Sequence, residues 1–384
     1  MKRLFWAVGI LAVAVVGAIF WVPSILEGRY NRVFVRPPYA IPVDAANLQK
    51  TLFVADLHAD TLLWGRNLLT RTTRGHVDLP RLDQANVSLQ FFTVVTTIPR
   101  HLNIESNSGS SDLVRYLAIV EGWPLRTWNS PKERALYQAG RLRKFATDSH
   151  GALVILRTRS DLEHFIASRE PYRLATILGS EGAQPLEGEL ENLDVLRAAG
   201  YRLMSPTHFT DTEIGGSASG ERKGGLTDLG RLWVHAMEAK GMLIDLAHAS
   251  PATVRDVTSL ATKSVIVSHT GVKGTCNNNR NLSDDEIRAV ARTGGVIGIG
   301  YWETAICGRE ADAIARAILY TARIVGVEHV ALGSDFDGST TTPFDATGIP
   351  LITDALLRQG LSGPEIRLVT GENVLRVLSQ TLPD

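Results

Sequence analysis

The chain has little cysteine and no excess of either charge. Two cysteines among 384 residues exclude a small scaffold held together by disulfides, as well as any metal or iron–sulfur site built from four thiolates. One disulfide and two free thiols are both compatible with this count. Forty Lys and Arg residues balance forty Asp and Glu residues, so no nucleic-acid partner is expected. The 44% hydrophobic content is typical of a globular protein with a large core.

Two familiar catalytic motifs are also missing. The glycine-rich segment 216–220 has Ala218 where a nucleophile elbow of the Gly-x-Ser-x-Gly type requires serine. The segment 294–300 contains glycines without the spacing of a phosphate-binding or dinucleotide-binding loop. Neither serine-based acyl transfer of that type nor nucleotide binding through such a loop is therefore predicted.

The amino terminus carries a long uncharged run. Residues 4–22 contain no charged side chain, and they follow the basic pair Lys2-Arg3. A helix of this length spans a hydrocarbon core of roughly 30 Å, and the basic pair favours a cytoplasmic amino end. We therefore expect residues 1–23 to be a transmembrane anchor or an uncleaved signal, with residues 4–22 in the lipid bilayer and the remainder extracytoplasmic, in the periplasm or at the cell surface. Cleavage as a signal peptide, giving a secreted protein, and a buried core helix are the alternatives.

The remaining sequence predicts one α/β domain. Residues 24–50, with the proline pair Pro37-Pro38, are expected to form a stalk or a surface arm, because paired prolines resist both helix and sheet. Apolar strand-like runs then alternate with amphipathic helical stretches, which predicts a (β/α)₈ TIM-type barrel over residues 51–384 with a mostly helical insertion near 97–173. The predicted strands are 52–57, 88–96, 174–180, 201–206, 241–247, 264–268, 294–300 and 329–334, and the predicted helices include 133–146, 189–199, 228–240, 283–292, 310–325 and 363–378.

Polar side chains follow six of these eight predicted strands, at the point where each strand ends. They are His58, Asp60, Glu181, His208, His248, His269 and Asp335. The carboxyl ends of parallel barrel strands share one rim, and chemistry collects there. Buried titratable groups in such a cluster would be costly without a metal ion, so folding alone explains this placement poorly.

Five of these residues have the chemistry of metal ligands. His58 and Asp60 are two residues apart, so strand alternation directs both side chains to one side. Imidazole nitrogen and carboxylate oxygen suit zinc or a similar divalent ion, and Glu181, His248 and His269 offer the same atoms. Five ligands exceed the need of one tetrahedral ion. We therefore predict two ions that share a bridging carboxylate and hold one hydroxide between them.

About residues 50–380 resemble the membrane dipeptidases, the renal-dipeptidase-type metallopeptidases of peptidase family M19 in the amidohydrolase superfamily. Four motifs carry the resemblance: Asp56-x-His58-x-Asp60, Ile244-Asp245-Leu246-Ala247-His248, Val267-Ser268-His269 followed by Arg280-Asn281, and Gly333-Ser334-Asp335-Phe336-Asp337-Gly338. The resemblance implies two zinc ions per chain, a Cys276–Cys307 disulfide and a homodimer. It assigns one zinc ion to His58 and Asp60, the other to His248 and His269, and the bridge between them to Glu181.

The resemblance further implies hydrolysis of the peptide bond of dipeptides, including those with a C-terminal D-residue, by the metal-bridging hydroxide. Besides Glu181, the catalytic residues would be Asp335 and His208. Asp335 can pass a proton from water to the departing nitrogen, and His208 can donate a hydrogen bond to the oxyanion. Arg280 can hold the substrate carboxylate with both arms of its guanidinium, while His208 and Asp335 also contact the substrate.

Some alternatives stay open at this point. The same centre could open a lactam ring or remove the acyl group from an amino acid, and a decayed barrel could serve as a non-catalytic, membrane-tethered binding protein. Asp56 and Asp245 are predicted to orient metal ligands rather than to bind metal themselves. Asp337 either shares that supporting role or lies in a turn that Gly338 begins.

Overall fold

Eight parallel strands form the centre of the molecule. This computed structural model describes residues 21–384 together with Trp6, Gly9 and Gly17, and every residue of the eight central strands is buried. The strands are β1 (Val54–Ala59), β2 (Val87–Val95), β3 (Leu174–Glu181), β4 (Tyr201–Met204), β5 (Leu243–Ile244), β6 (Ile266–Thr270), β7 (Val296–Ile299) and β8 (Val330–Leu332).

The sheet curls as in a TIM-like barrel. Its hydrogen-bonded order is β5-β4-β3-β2-β1-β8-β7-β6, so strands that are neighbours in the chain are also neighbours in the sheet. A parallel bridge between Asp245, just after β5, and Ile266 of β6 joins the two ends of that order. All eight strand carboxyl ends therefore lie at one rim.

The predicted strands agree with the structure in number and order, but two details differ. Strand β5 has only two residues, because the chain leaves the ladder at Asp245 and turns through His248, whose φ is 63°. A short additional strand, Leu153–Ile155, pairs with the first half of β3. It lies in the 97–173 insertion, for which a mostly helical character was predicted.

Helices surround the sheet, and most begin at a serine, threonine or aspartate whose side chain accepts a hydrogen bond from the first turn. Within the described residues they are Val43–Gln49, Leu79–Gln84, Leu113–Val120, Pro131–Asp148, Arg159–Ala167, Asn192–Ala199, Asp228–Ala239, Pro251–Leu260, Asp284–Arg292, Glu303–Ile306, Ala311–Val325, Pro350–Arg358, Gly363–Arg367 and Asn373–Thr381. The stretch predicted as one helix at 363–378 contains a π-helical turn, Leu368–Glu372, between its two α-helical parts.

Residues 24–50 lie against the barrel as an arm. Residues 21–30 are helical, and the two-residue strand Arg32–Val33 pairs in parallel with Thr341–Thr342. Helix Val43–Gln49 follows, so regular structure forms on both sides of the proline pair that was expected to oppose it. Glu27 is 2% exposed, which shows that this arm is packed on the domain.

The segment predicted to lie in the bilayer, residues 4–22, falls outside the described residues except for Trp6, Gly9, Gly17 and residues 21–22. Over the part of the chain that the structure describes, no helix has both the length and the apolar composition needed to cross a membrane.

Candidate metal centre

The carboxylate of Glu181, at the end of β3, is the centre of the rim. Its Oε1 lies 2.9 Å from His248 Nε2, 3.3 Å from His269 Nε2 and 3.5 Å from His58 Nε2. Its Oε2 lies 3.4 Å from His208 Nε2. Four imidazoles carried by four different strand ends therefore surround one buried carboxylate.

Two further carboxylates stand beside His58. Asp60 Oδ1 is 3.5 Å from His58 Nε2 and accepts a 2.7 Å hydrogen bond from the Thr93 hydroxyl of β2. Asp335 Oδ1 is 4.0 Å from the same imidazole nitrogen. Strand β1 ends at Ala59, so Asp60 reaches the site from the turn after the strand, whereas the sequence argument assumed continued strand alternation. All seven predicted rim residues are thus brought together.

Backbone strain is concentrated at this rim. His248 and Asp335 have φ angles of 63° and 60°, in the left-handed region that residues other than glycine rarely occupy. Such strain persists only where the surrounding structure holds the chain firmly, and it is common at functional sites. The turn at His248 directs its imidazole to Glu181, and the turn at Asp335 places its carboxylate beside His58.

The hydroxyl of Ser268 determines which nitrogen of two histidines faces the centre. Ser268 Oγ donates its one proton to Asp245 Oδ2 at 2.6 Å. The same oxygen lies 3.0 Å from His58 Nδ1 and 2.9 Å from His269 Nδ1, and it can only accept from them. Both histidines therefore carry a proton on Nδ1, so Nε2 is the nitrogen that each ring offers to a metal in its neutral form, and it faces Glu181.

Asp245 and Asp56 lie outside the seven rim residues, and each supports the rim through a serine. Asp245 also accepts hydrogen bonds from the backbone N–H groups of Ser268 and Ala247, so it acts on two ligands through one serine. Asp56 accepts from the Ser334 hydroxyl at 2.6 Å and from its N–H at 2.7 Å. It therefore holds the turn that leads to Asp335.

The charges in the cluster depend on one another. Burial disfavours charge on His58, but the carboxylates of Glu181 and Asp60 outweigh this effect and raise its pKa well above the usual value. Burial and the repulsion from Glu181 raise the pKa of Asp60 to about 6. Burial and nearby positive charge lower the pKa values of His248 and His269 well below normal, which favours the neutral form that binds metals.

This arrangement fits metal ions. Buried side chains form three groups, and within each group the potential ligand atoms lie within 4.8 Å of one another. The groups are His58, His269 and Asp335; Glu181, His208 and His248; and His58, Asp60 and Glu181. Two atoms bound to one tetrahedral zinc ion at about 2.0–2.2 Å lie roughly 3.3–3.6 Å apart, close to the spacings found here. His58 Nε2 is buried without a hydrogen-bond partner in the described structure. A bound cation would supply a partner for that nitrogen.

Arg280 occupies the loop after β6. Its guanidinium is buried, donates to the backbone oxygen of His269 at 3.0 Å and lies 5.3 Å from the ring centre of Trp302. It forms no ion pair with any described residue. The disulfide Cys276–Cys307 ties this loop to the segment after β7. A buried guanidinium that has no direct ion-pair partner among the described residues and lies beside the predicted metal ligands is suited to binding an anionic group.

Asp337 contacts none of the predicted metal ligands. Its carboxylate forms a buried ion pair with Arg66 and accepts hydrogen bonds from the Thr61 hydroxyl at 2.7 Å and the His76 N–H at 2.6 Å. Burial alone would raise the pKa of Asp337, but the charge of Arg66 lowers it overall. Asp337 therefore joins the loop after β8 to the loop after β1.

Four contributing residues were not assigned a role from the sequence: Arg66, Thr93, Ser268 and Trp302. Ser268 is adjacent to His269, so strict alternation would place the two side chains on opposite faces. The ladder between β6 and β7 is irregular between Val267 and Thr270, and this allows both to reach the site. A hydroxyl beside a predicted ligand was the available signal for Ser268, whereas nothing local distinguishes Arg66.

A buried set of imidazole and carboxylate ligands at the carboxyl ends of a parallel barrel defines a metal-dependent enzyme of the barrel class. The family model of the membrane dipeptidases (peptidase family M19) matches residues 43–382. The chain therefore belongs to this family of metal-dependent dipeptidases, and the family resemblance seen in the sequence is confirmed.

Individual relatives agree with this assignment. The dipeptidase aclJ of Aspergillus oryzae is 29% identical over 346 residues, which cover 85% of this chain and 77% of the relative. A Rhodobacter sphaeroides metallopeptidase, solved with a phosphinate mimic of the dipeptide L-Ala-D-Ala, has a TM-score of 0.72 at 24% identity, covering 86% of this chain and 99% of its own. The probable dipeptidase PvdM of Pseudomonas aeruginosa has a TM-score of 0.73 at 19% identity, and the match covers 88% of this chain and 98% of PvdM. These structural likenesses concern the fold.

Proposed function

We propose that this chain holds two zinc ions, with Glu181 between them, and hydrolyses the peptide bond of dipeptides. The observation that carries the proposal is the contact of one Glu181 oxygen with three imidazole Nε2 atoms and of the other oxygen with a fourth. When bound, zinc would supply Lewis acidity and lower the pKa of water to ~7. His58 and Asp60 would hold one ion, and His248 and His269 the other.

Arg280 binds the free carboxylate of the substrate in this proposal. Its buried guanidinium is fixed by the His269 carbonyl and by the face of Trp302, and it has no described acidic partner. A planar guanidinium can form two parallel hydrogen bonds to a carboxylate. That contact places the carboxylate at one end of a short site, so it selects substrates of two residues.

In this proposal Asp335 transfers a proton from water to the departing nitrogen of the substrate. Burial raises its pKa well above the usual value, and the negative charges of Asp60 and Glu181 add to this effect. A carboxyl group with a raised pKa holds a proton more readily than an ordinary aspartate, so it can take a proton from water and deliver it to the nitrogen of the broken peptide bond. Its position beside His58 and within the field of Arg280 keeps it next to both the ligands and the substrate.

His208 donates a hydrogen bond to the substrate carbonyl oxygen as negative charge develops there. Burial lowers the pKa of His208 to about 4, so the imidazole is neutral at pH 7. A neutral imidazole has one N–H group to donate, and it leaves the net charge of the centre unchanged. Its contacts with Phe209 and His248 fix the plane of the ring.

We also propose that dipeptides with a C-terminal D-residue are substrates. The Rhodobacter sphaeroides relative was solved with a mimic of L-Ala-D-Ala, which supports this choice. Recognition through Arg280 uses the carboxylate, which is common to both stereoisomers of the terminal residue. The stereochemical preference then depends on what surrounds the terminal side chain of the substrate rather than on Arg280.

The test combines metal analysis with an activity panel. Purified protein should contain close to two zinc ions per chain, and it should cleave L,L and L,D dipeptides while leaving tripeptides largely intact. Asp335→Asn should retain the metal and lose at least roughly 100-fold in kcat, because the proton carrier is removed. Zinc, cobalt and manganese should each be tested for restoring activity to chelated enzyme.

Different outcomes would identify the alternatives. Hydrolysis of lactams or N-acyl amino acids with no cleavage of dipeptides would replace the proposed substrate while keeping the centre. Full activity in the Asp335→Asn variant would remove the assigned proton carrier. Protein that stays folded and binds no metal would contradict the enzyme proposal altogether.

The proposed location is outside the cytoplasm, with residues 4–22 as the anchor or, after cleavage, with the domain secreted. The basic pair before the apolar run and the Cys276–Cys307 disulfide support this, since disulfides persist in oxidising compartments. Alkylation of thiols in intact cells before lysis should leave both cysteines unmodified. Labelling of both cysteines would place the domain in a reducing compartment.

A further inference from the structure

A line of buried ion pairs runs from the amino-terminal arm to the loop that carries Asp335. Glu27, in the helical residues 21–30, accepts a hydrogen bond from Arg66 Nε, and Arg66 Nη2 donates to Asp337 Oδ2. The three side chains are 3%, 1% and 0% exposed, respectively. We call Glu27, Arg66 and Asp337 the clamp. It begins outside the barrel and ends two residues from Asp335.

The clamp is attached to the ends of both β1 and β8. Asp337 accepts from the Thr61 hydroxyl, and Thr61 directly follows Asp60. The Trp64 indole N–H donates to the backbone oxygen of Asp337 at 2.7 Å. Phe336 bridges to Ala59, and its oxygen accepts from the Asp60 N–H at 2.9 Å. A shift at Asp337 would therefore move the residues on either side of the metal ligands.

The arm holds the far end of the same loop. The side-chain oxygen of Asn31 accepts a hydrogen bond from the Ser339 N–H at 2.8 Å, and strand Arg32–Val33 pairs with Thr341–Thr342. The His76 ring, which accepts from the Asp337 N–H at 2.9 Å, also lies 2.9 Å from the Arg32 carbonyl oxygen. Arm and barrel thus enclose the loop from both sides.

The loop itself is strained. Asp335, Asp337 and Ser339 have φ angles of 60°, 63° and 59°. Alternating left-handed residues that are not glycine are unfavourable, so a loop of this shape keeps its conformation only under external restraint. The clamp and the Asn31 contact are that restraint. Without it the loop would relax, and the Asp335 carboxyl would lose its position beside His58.

We propose that Arg66 is a positioning residue for Asp335, and that Glu27 completes this function from the amino-terminal arm. The proposal rests on the proposed role of Asp335 as the proton carrier. It makes residues 24–34 a working part of the active site, although none of them lies at the rim. Arg66 is suited to this function because one guanidinium reaches Glu27, the Val77 carbonyl oxygen and Asp337 together.

The first measurement is hydrogen exchange in the full-length, zinc-loaded protein and in the chelated protein. Glu27→Gln is nearly isosteric and removes one of the two charges that face Arg66. We expect it to speed amide exchange of the 335–339 segment by roughly 10-fold or more, because local opening of a strained loop becomes easier. The matched control is Arg74→Gln, which removes the other partner of Glu27, a side chain that is 38% exposed. Arg74→Gln should keep the amide exchange rate of the 335–339 segment within about twofold of the wild-type rate.

The second measurement is steady-state kinetics on one dipeptide. Glu27→Gln should lower kcat by roughly 3–10-fold with KM nearly unchanged, since the proton carrier is displaced while the carboxylate site is intact. Arg66→Lys keeps the charge but cannot reach three acceptors at once, so its kcat should fall further. Zinc content should equal that of the wild type in each variant, and Arg74→Gln should keep wild-type kcat.

The outcomes separate this proposal from the proposed function. Normal exchange in Glu27→Gln, or faster exchange with unchanged kcat, would overturn the positioning role even if dipeptides are cleaved. Equal losses in kcat and metal content would also overturn it, because they indicate general loosening of the site. Faster exchange confined to 335–339 in a protein that cleaves no dipeptide would support the clamp and reject the proposed substrate.

Discussion

At the scale of the residue, one serine hydroxyl organises two of the proposed metal ligands. Ser268 accepts from His58 and His269 and passes its own proton to Asp245. Partners of this kind fix the tautomer and orientation of ligating histidines, and their loss commonly costs 10–100-fold in metal affinity. We expect Ser268→Ala to fold and to bind zinc roughly 10–100-fold more weakly, as measured by competition with a chromophoric chelator.

A suitable control for this change lies on the same segment. Ser264 precedes β6, and its hydroxyl donates to the Thr293 carbonyl oxygen, away from the centre. Ser264→Ala should keep wild-type zinc affinity. Equal affinities in both alanine variants would mean that Ser268 does not set the ligand tautomers.

Arg280 offers a second residue-scale prediction. Replacing it by lysine keeps the positive charge and removes the planar fork, so two parallel hydrogen bonds to a carboxylate become one. We expect Arg280→Lys to raise KM for dipeptides by roughly 10–100-fold, the value of a charge-assisted hydrogen bond. The wild-type enzyme acting on a dipeptide amide, which has no carboxylate, provides the comparison. If the variant discriminates between dipeptide and dipeptide amide as strongly as the wild type, Arg280 does not bind the substrate carboxylate.

At the scale of the element, the disulfide restrains the loop that carries Arg280. Cys276 and Cys307 are 31 residues apart. Removing a disulfide that closes a loop of this length increases the conformational entropy of the unfolded chain, which stabilises the unfolded state by about 3–4 kcal/mol. The double variant Cys276→Ser/Cys307→Ser should therefore unfold at a lower urea concentration, and its free energy of unfolding should be smaller by about 3–4 kcal/mol. Its KM should rise more than its kcat falls, because the loop positions the carboxylate site.

The same comparison can be made with reductant. Wild-type protein treated with dithiothreitol should approach the double variant in both stability and KM. The variant itself should be indifferent to dithiothreitol. A reduced wild-type enzyme with unchanged KM would show that the loop keeps its shape without the covalent link.

Glu121, at the end of helix Leu113–Val120, gives the insertion a dependence on pH. Burial raises its pKa from 4.5 to about 7, although Arg141 acts in the opposite direction. The folded state then binds a proton on Glu121 more tightly than the unfolded state, so the contribution of Glu121 to stability is largest below pH 4.5 and is lost as pH rises through 7. The fall amounts to about 3 kcal/mol at most.

Glu121→Gln resembles the protonated form and should remove this contribution. Urea unfolding at pH 5 and pH 8 should show a smaller loss of stability in the variant than in the wild type, because the variant has no proton to release. The same difference between the two pH values in both proteins would show that Glu121 titrates normally.

At the scale of the whole molecule, the proposed metal centre joins six strand ends. Without cations, the cluster holds several carboxylates and closely facing imidazole nitrogens away from water, which destabilises the rim. Chelation should therefore lower the thermal midpoint, with about 2.7 kcal/mol lost for each ion whose free concentration was 100-fold above its Kd. Differential scanning calorimetry with chelator, and again after zinc is restored, measures this. Identical midpoints in all three states would argue against metal in this centre.

Much of the fold could be predicted because its determinants are local. Continuous apolar runs such as 294–300 indicate buried parallel strands, and the eight runs correspond to the eight barrel strands. Histidines and carboxylates directly after those runs indicate the rim, and the structure gathers the seven rim residues around Glu181 and His58. Strand ends were less predictable, as β5 shows, since the chain turns away early to place His248 in a left-handed conformation.

The sequence by itself determined the alternation of strands and helices, and with it the strand ends that supply the candidate ligands, because both follow from periodicity and chain order. Only the tertiary structure decided which side chains support those ligands. The contacts of Ser268 with His58 and of Arg66 with Asp337 span 210 and 271 residues, and they depend on ladder irregularities and on the packing of the arm. No local pattern encodes such pairings, because they arise from where the curled sheet brings distant loops into contact.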